Sequence, residues 1–179
     1  MVAWLTRADR AVLDAVIALR ASWLTPVMTL ASAWWVHGLA FVAVGAVADL
    51  RRRPRALPVT ALLAAAAYAV ASLCANVIKL LTDRERPPVA HPDVTALIDI
   101  PYGSSFPSAH AATAFAAAGV VATRYPALRL PLFALATLIA VSRVYLGVHY
   151  PLDVLAGACL GLAVAWVTVT LGRRITVPV

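Results

Sequence analysis

Charge is scarce in this sequence. Asp, Glu, Lys and Arg make up only 13% of its 179 residues, about half the share of an ordinary soluble domain, which excludes both a soluble globular surface and a charged disordered chain. Cysteine is scarcer still. Cys74 and Cys159 each stand alone in an apolar run, so a disulfide framework and a cysteine metal site are excluded, and both are expected as small core residues. Acidic side chains are few as well, eight against fifteen basic ones for a net charge of +7. A nucleic-acid binder would spread such an excess over a wide solvated face, and the apolar majority leaves no room for one. What is abundant is hydrocarbon: 63% of the residues are hydrophobic and the mean hydropathy is +0.86. About 20 apolar residues cross a bilayer, so a chain of 179 residues holds about five or six spans in one membrane-embedded domain, 1–179.

The fold class expected is an all-α integral membrane bundle of about five transmembrane helices plus an amphipathic helix. Residues 9–24 carry Val12, Ala15, Val16 and Leu19 at helical spacing, with Arg10, Asp14 and Arg20 away from them, a pattern that suits a helix lying in the interface. With charges so close together, this start is too broken for a secretory leader. Spans are predicted at 27–48, 58–81, 107–123, 130–148 and 151–171, and one long polar, proline-rich loop at 82–106. Gly157 and Gly161 are spaced for close helix packing.

Charge orients these spans. Arg51, Arg52, Arg53, Arg55, Arg124, Arg129, Arg173 and Arg174 fall on one side with Asp49 alone, while cations and acids balance on the other. The positive-inside rule makes the first side cytoplasmic. The 82–106 loop and the helix junctions at Pro107 and at 149–151 then face outward.

On that outer side the ends of four spans bring together Lys79, Arg86, Ser108, His110, Arg143, His149 and Asp153. Lysines at helix ends ordinarily snorkel, but Arg143 lies five residues short of the predicted span end at Val148, a depth at which a lone cation is costly and needs an anion. Phosphate suits it, because the guanidinium fork matches phosphate oxygens. Pro107-Ser108-Ala109-His110 opens a helix whose free N–H groups form an anion seat. In His149-Tyr150-Pro151-Leu152-Asp153 the carboxylate at the third helical position either complements the helix dipole or reaches back to orient His149 as a nucleophile. Asp83, Glu85, His91, Asp93 and Asp99 fall at no recognised ligand spacing, and three cations repel a metal, so neither metal nor other cofactor is expected. A non-catalytic anionic-lipid binder or carrier would need the cations but not His110 or the His149–Asp153 pair.

These segments resemble the type 2 phosphatidic acid phosphatase family, integral-membrane lipid phosphatases related to vanadium haloperoxidases. Lys79 with Arg86-Pro87 matches its K-x6-RP pattern, Pro107-Ser108-Ala109-His110 its PSxH element, and Ser142-Arg143, His149 and Asp153 its SR-x5-H-x3-D element. Ala109 stands where many members have glycine, and an interfacial helix stands where many have a further N-terminal span. The resemblance implies metal-independent hydrolysis of a phosphomonoester or pyrophosphate. His149 would form a phosphohistidine, Asp153 would orient it, and His110 would protonate the leaving oxygen. Lys79, Arg86, Ser108, Arg143 and the backbone at Ala109 would cradle the phosphoryl oxygens. The implied partners are a membrane lipid phosphate and the bilayer, in a bacterial cell membrane with the site outward; self-association is left open.

Overall fold

The computed structural model describes the backbone of residues 3–175 and the side chains of residues 6–172. Arg173 and Arg174 of the charge count therefore lie outside the described side chains. Among the described residues the regular structure is all helical. Helix α1 spans Ala3–Ala18, α2 Leu24–Ala31, α3 Trp34–Arg52 and α4 Val59–Leu80. A short α5, Pro87–Ala90, lies in the long loop, and α6 (Ala109–Arg124), α7 (Arg129–Tyr145) and α8 (Pro151–Ile175) complete the chain.

Helix α6 is the axis of the bundle, packed against α3, α4, α7 and α8. Its alanine-rich sequence explains why. Ala111, Ala112, Ala114, Ala116, Ala117 and Ala118 point in several directions around the helix and are all fully buried, so small side chains let neighbours approach from several sides at once. Ala64, Ala67, Ala71 and Ala75 of α4, spaced at three and four residues, present a matching stripe. On α8, a Cβ at Gly161 would collide with the Ala112 carbonyl oxygen, and one at Gly157 with that of Ser108. These two glycines set the α6–α8 distance, as their spacing predicts.

Three helical stretches are long and apolar enough to cross a membrane: Val59–Leu80, Pro126–Tyr145 and Pro151–Gly172. The first predicted span, 27–48, is instead a pair, α2 and α3, bent by 63°. No proline or glycine marks the break. Ala33 is extended there, with φ −64° and ψ 139°, and Ser32 is held by Arg143 of α7. The third predicted span, 107–123, is α6, whose 16 residues extend about 24 Å, short of the roughly 30 Å hydrocarbon core. Enclosure by its neighbours suits this length.

One expectation is corrected. Cys159 is exposed and Cys74 only partly buried; apolar runs in a membrane helix serve lipid-facing and core-facing positions alike. Helix α1 packs through Leu13, Val16 and Ile17, and Val12 and Leu19 of its apolar face are 50% and 68% exposed, as residues that meet lipid at an interface are. Its inner face also carries Asp9, only 4% exposed.

The glycine contacts yield a stability prediction. Gly161→Val should lower the thermal midpoint in detergent and cost about 1–3 kcal/mol by overpacking. Gly38→Ala, whose Cβ would meet Tyr68 at an ordinary 3.6 Å, should leave the midpoint within about 1 °C, a shift set by well under about 0.5 kcal/mol. Equal midpoints for both variants in a thermal melt would contradict the packing described.

Candidate active site

The residues singled out in the sequence come to one end of the bundle from separate elements. Lys79 ends α4, Arg86 precedes α5, Ser108, Ala109 and His110 open α6, and Arg143 closes α7. His149 lies in the α7–α8 junction and Asp153 in the first turn of α8. Arg86, Ser108, Arg143, His149 and Asp153 are all buried, Asp153 completely. Lys79 and His110 are partly buried.

Local structure explains how Asp153 meets His149. Pro151 starts α8, and the Asp153 carboxylate folds back over the helix start, where Oδ2 accepts the Tyr150 N–H at 2.9 Å. The same oxygen lies 3.5 Å from His149 Nδ1, a long approach in which Nδ1 makes no formal hydrogen bond. The backbone carbonyl of Asp153 accepts the Ser108 N–H at 2.9 Å, locking the starts of α6 and α8 together.

Arg86 defines the tautomer of His149. Its Nη1 donates to the Val148 carbonyl at 2.9 Å and stands 3.3 Å from His149 Nε2. A guanidinium only donates, so Nε2 is the acceptor, and the proton of the neutral ring sits on Nδ1, toward Asp153. Burial pushes the His149 pKa down from 6.5 to about 4; Asp153 opposes the shift, while Arg143 and Arg86 add to it. The imidazole is neutral at pH 7, with its Nε2 lone pair among cations.

Neutral carbonyls hold those cations in place. Lys79 Nζ donates to Ser104 O at 2.6 Å, and Arg86 donates to Gly103 O at 3.1 Å and Ser104 O at 3.3 Å. The 103–105 stretch is in turn tied to the segment it serves, since the Ser105 N–H donates to the Arg84 carbonyl at 2.8 Å. Gly103 turns this corner at φ +80°, where a side chain would be strained. Burial holds the Arg86 pKa below its ordinary value, a loss partly offset by Asp153. Ser108 Oγ and Arg143 Nε are buried without a hydrogen-bond partner. Such groups are costly unless a ligand supplies acceptors, and both belong to this cationic end. A cavity of about 660 Å³ lined by Lys79, Arg86, Tyr102 and Ser104 opens beside it. A second, of about 420 Å³, lies among Arg52, Arg53, Arg124 and Tyr125, away from these residues.

Sequence reasoning missed four participants. Ser32, at the α2–α3 bend, accepts a hydrogen bond from Arg143. The His37 ring of α3 lies against that of His110, tilted by 44° with centroids 4.0 Å apart. Arg84 forms ion pairs with both Asp9 and Asp153. Only Asp9 offered a signal, lying four residues before Leu13 and hence on the same helical face.

The family model of the PAP2 superfamily matches residues 60–176. The decaprenylphosphoryl-5-phosphoribose phosphatase of Mycobacterium tuberculosis is 40% identical over 134 residues, covering 75% of this chain and 71% of that protein. The crystal structure of a transmembrane PAP2-type phosphatidylglycerolphosphate phosphatase from Bacillus subtilis superposes with a TM-score of 0.77 at 26% identity, over 97% of this chain and 89% of that one. LpxE of Aquifex aeolicus shares the fold, with a TM-score of 0.75 at 23% identity over 89% of this chain and 93% of that one. The bundle is thus that of an integral-membrane phosphatase. The chain belongs to the PAP2 superfamily.

The depressed His149 pKa is directly measurable. A histidine-labelled sample followed by NMR in detergent should show the His149 ring neutral at pH 6 and titrating near pH 4. Because burial lowers the pKa, the neutral form persists as pH falls, and protonation sets in only well below the ordinary 6.5. A midpoint at or above 6.5 would contradict the burial and the cationic surroundings described.

Proposed function

We propose that this membrane phosphatase removes a terminal phosphate from a membrane lipid phosphate or diphosphate without a metal, through a phosphohistidine on His149. The observation that carries the reading is the neutral imidazole, with Nδ1 toward Asp153 and Nε2 facing Arg86. In this reading Nε2 attacks phosphorus in line with the leaving oxygen, and Asp153 stabilises the positive ring that forms. His110 gives its proton to the leaving oxygen and then takes one from the water that cleaves the N–P bond. Lys79, Arg86, Ser108, Arg143 and the N–H at Ala109 neutralise the equatorial oxygens, electrostatic work that phosphoryl transfer depends on. Three cations, two histidines and one carboxylate form a set that attracts an anion and repels a divalent cation. The reading treats 1–179 as one catalytic domain.

A lipid substrate follows from the setting. Leu80 and Leu81, beside Lys79, are 85% and 79% exposed, so a lipid tail can remain in the bilayer while its head enters the cavity beneath the 82–106 loop. The arginine excess on the other side places the site on the extracytoplasmic face of a bacterial cell membrane in this reading. The named activities of the relatives, on decaprenylphosphoryl-5-phosphoribose and on phosphatidylglycerolphosphate, support a lipid with a terminal phosphate as the substrate class.

Purified protein should release inorganic phosphate from such lipids in excess chelator. His149→Ala should reduce turnover by about a thousandfold or more, the scale of removing a nucleophile, with folding unchanged by thermal melt. Retention of a tenth of the rate, or dependence on an added divalent ion, would overturn the mechanism. His110→Ala should slow alkyl phosphates far more than nitrophenyl phosphate, whose leaving group needs little protonation.

Sidedness has its own test. In intact cells, Asp99→Cys should react with an impermeant thiol reagent added outside, and Ala56→Cys should not. The reverse pattern would put the site in the cytoplasm.

A further inference from the structure

Just after His149, three positions are gripped by groups that are not among the fixed residues of the family motifs. Asp153 Oδ1 accepts from Arg84 Nη1 at 2.5 Å. The other Arg84 nitrogen, Nη2, pairs with Asp9 of α1, and the guanidinium lies over the Tyr150 ring, 4.2 Å from its centroid. The second oxygen of Asp9 accepts the Leu152 N–H at 2.8 Å. Both carboxylates are buried, and the Arg84 side chain is only 14% exposed.

The geometry fixes how the Asp153 carboxylate is turned. With Oδ1 committed to Arg84, Oδ2 is the oxygen left for Tyr150 N–H and His149 Nδ1. Without Arg84, Oδ1 loses its partner and the turn of the carboxylate rests on the Tyr150 N–H alone. Asp9 has the complementary task. A single buried acid would leave Arg84 to draw Asp153 wholly to itself, whereas a second acid divides the guanidinium between two carboxylates and anchors it to α1. Lysine, a point charge, cannot span both.

We propose that Arg84 and Asp9 are positioning residues that act through Asp153 to aim His149, and that α1 thereby forms part of the catalytic apparatus. The proposal rests on the phosphohistidine reading. Neither residue is placed among those that cradle phosphate, so their loss should alter the rate of the chemical step and leave anion binding intact.

The test uses full-length protein in nanodiscs, with nitrophenyl phosphate and a short-chain phosphatidate as substrates and inorganic phosphate as the binding probe. Arg84→Lys should lower kcat by about tenfold to a hundredfold, the usual scale of a misaimed reacting group, with KM and the phosphate Kd within about twofold of wild type. Asp9→Asn should lower kcat in the same way, and the double variant should be no slower than Arg84→Lys alone, because both act through one carboxylate. A structural role alone would instead reduce the number of phosphate-binding molecules while kcat per binding site stayed unchanged, and that outcome overturns the proposal. So does a raised KM with unchanged kcat, which would make Arg84 a phosphate ligand. If Arg84→Lys fails to fold, Asp9→Asn decides the matter by the same criteria. Wild-type activity in His149→Ala would sink the underlying reading; an inactive His149→Ala beside fully active Arg84→Lys and Asp9→Asn would sink only this proposal.

Discussion

A carboxylate with no exposed surface, at the start of α8, needs partners for its charge and its lone pairs. Asp153 finds them in Arg84, in the Tyr150 N–H and in the nearby His149 ring, while its backbone carbonyl takes the Ser108 N–H. Through those few bonds the long loop, the α7–α8 junction, the start of α6 and, by way of Asp9, the first helix are all brought to one point. Removing the acid would strip Arg84 of one partner and release the Tyr150 N–H at once. The end of the bundle is organised around neutralising this one group.

Close approach of the helices makes such burial available. Alanine and glycine faces on α4, α6 and α8 bring backbones near enough to shut the polar end away from hydrocarbon. Desolvation then has opposite consequences for different groups. It keeps the His149 ring neutral, and it strengthens the attraction of Arg86 and Arg143 for any anion that enters, since the same charges in water would be screened. Carbonyls at 103–105 hold Lys79 and Arg86 without cancelling their charge, so the cationic end is organised before an anion arrives.

Much of the candidate site was legible because buried charge is costly in a membrane. Arg143, His149 and Asp153 stand out in apolar sequence, and proline at a helix start marks where free N–H groups point. Arg84 and Asp9 did not stand out. One sits among other charges of a polar loop and the other in an amphipathic helix rich in them, and their pairing spans 75 residues of chain. His37 is a polar residue within an otherwise apolar stretch, and the α2–α3 bend carries no breaker at all, so neither had a local cause to detect.

Sequence by itself determined that the chain is a membrane bundle, which ends of its helices carry cations and histidines, and the order of those motifs, because hydropathy, proline and charge act locally along the chain. Only the tertiary structure decided which face of α1 turns inward, that one predicted span breaks at Ser32, that α6 is enclosed, and which arginine meets Asp153. Each of those depends on partners distant in the chain, whose energies of burial and pairing outweigh the weak local preferences of an alanine-rich helix.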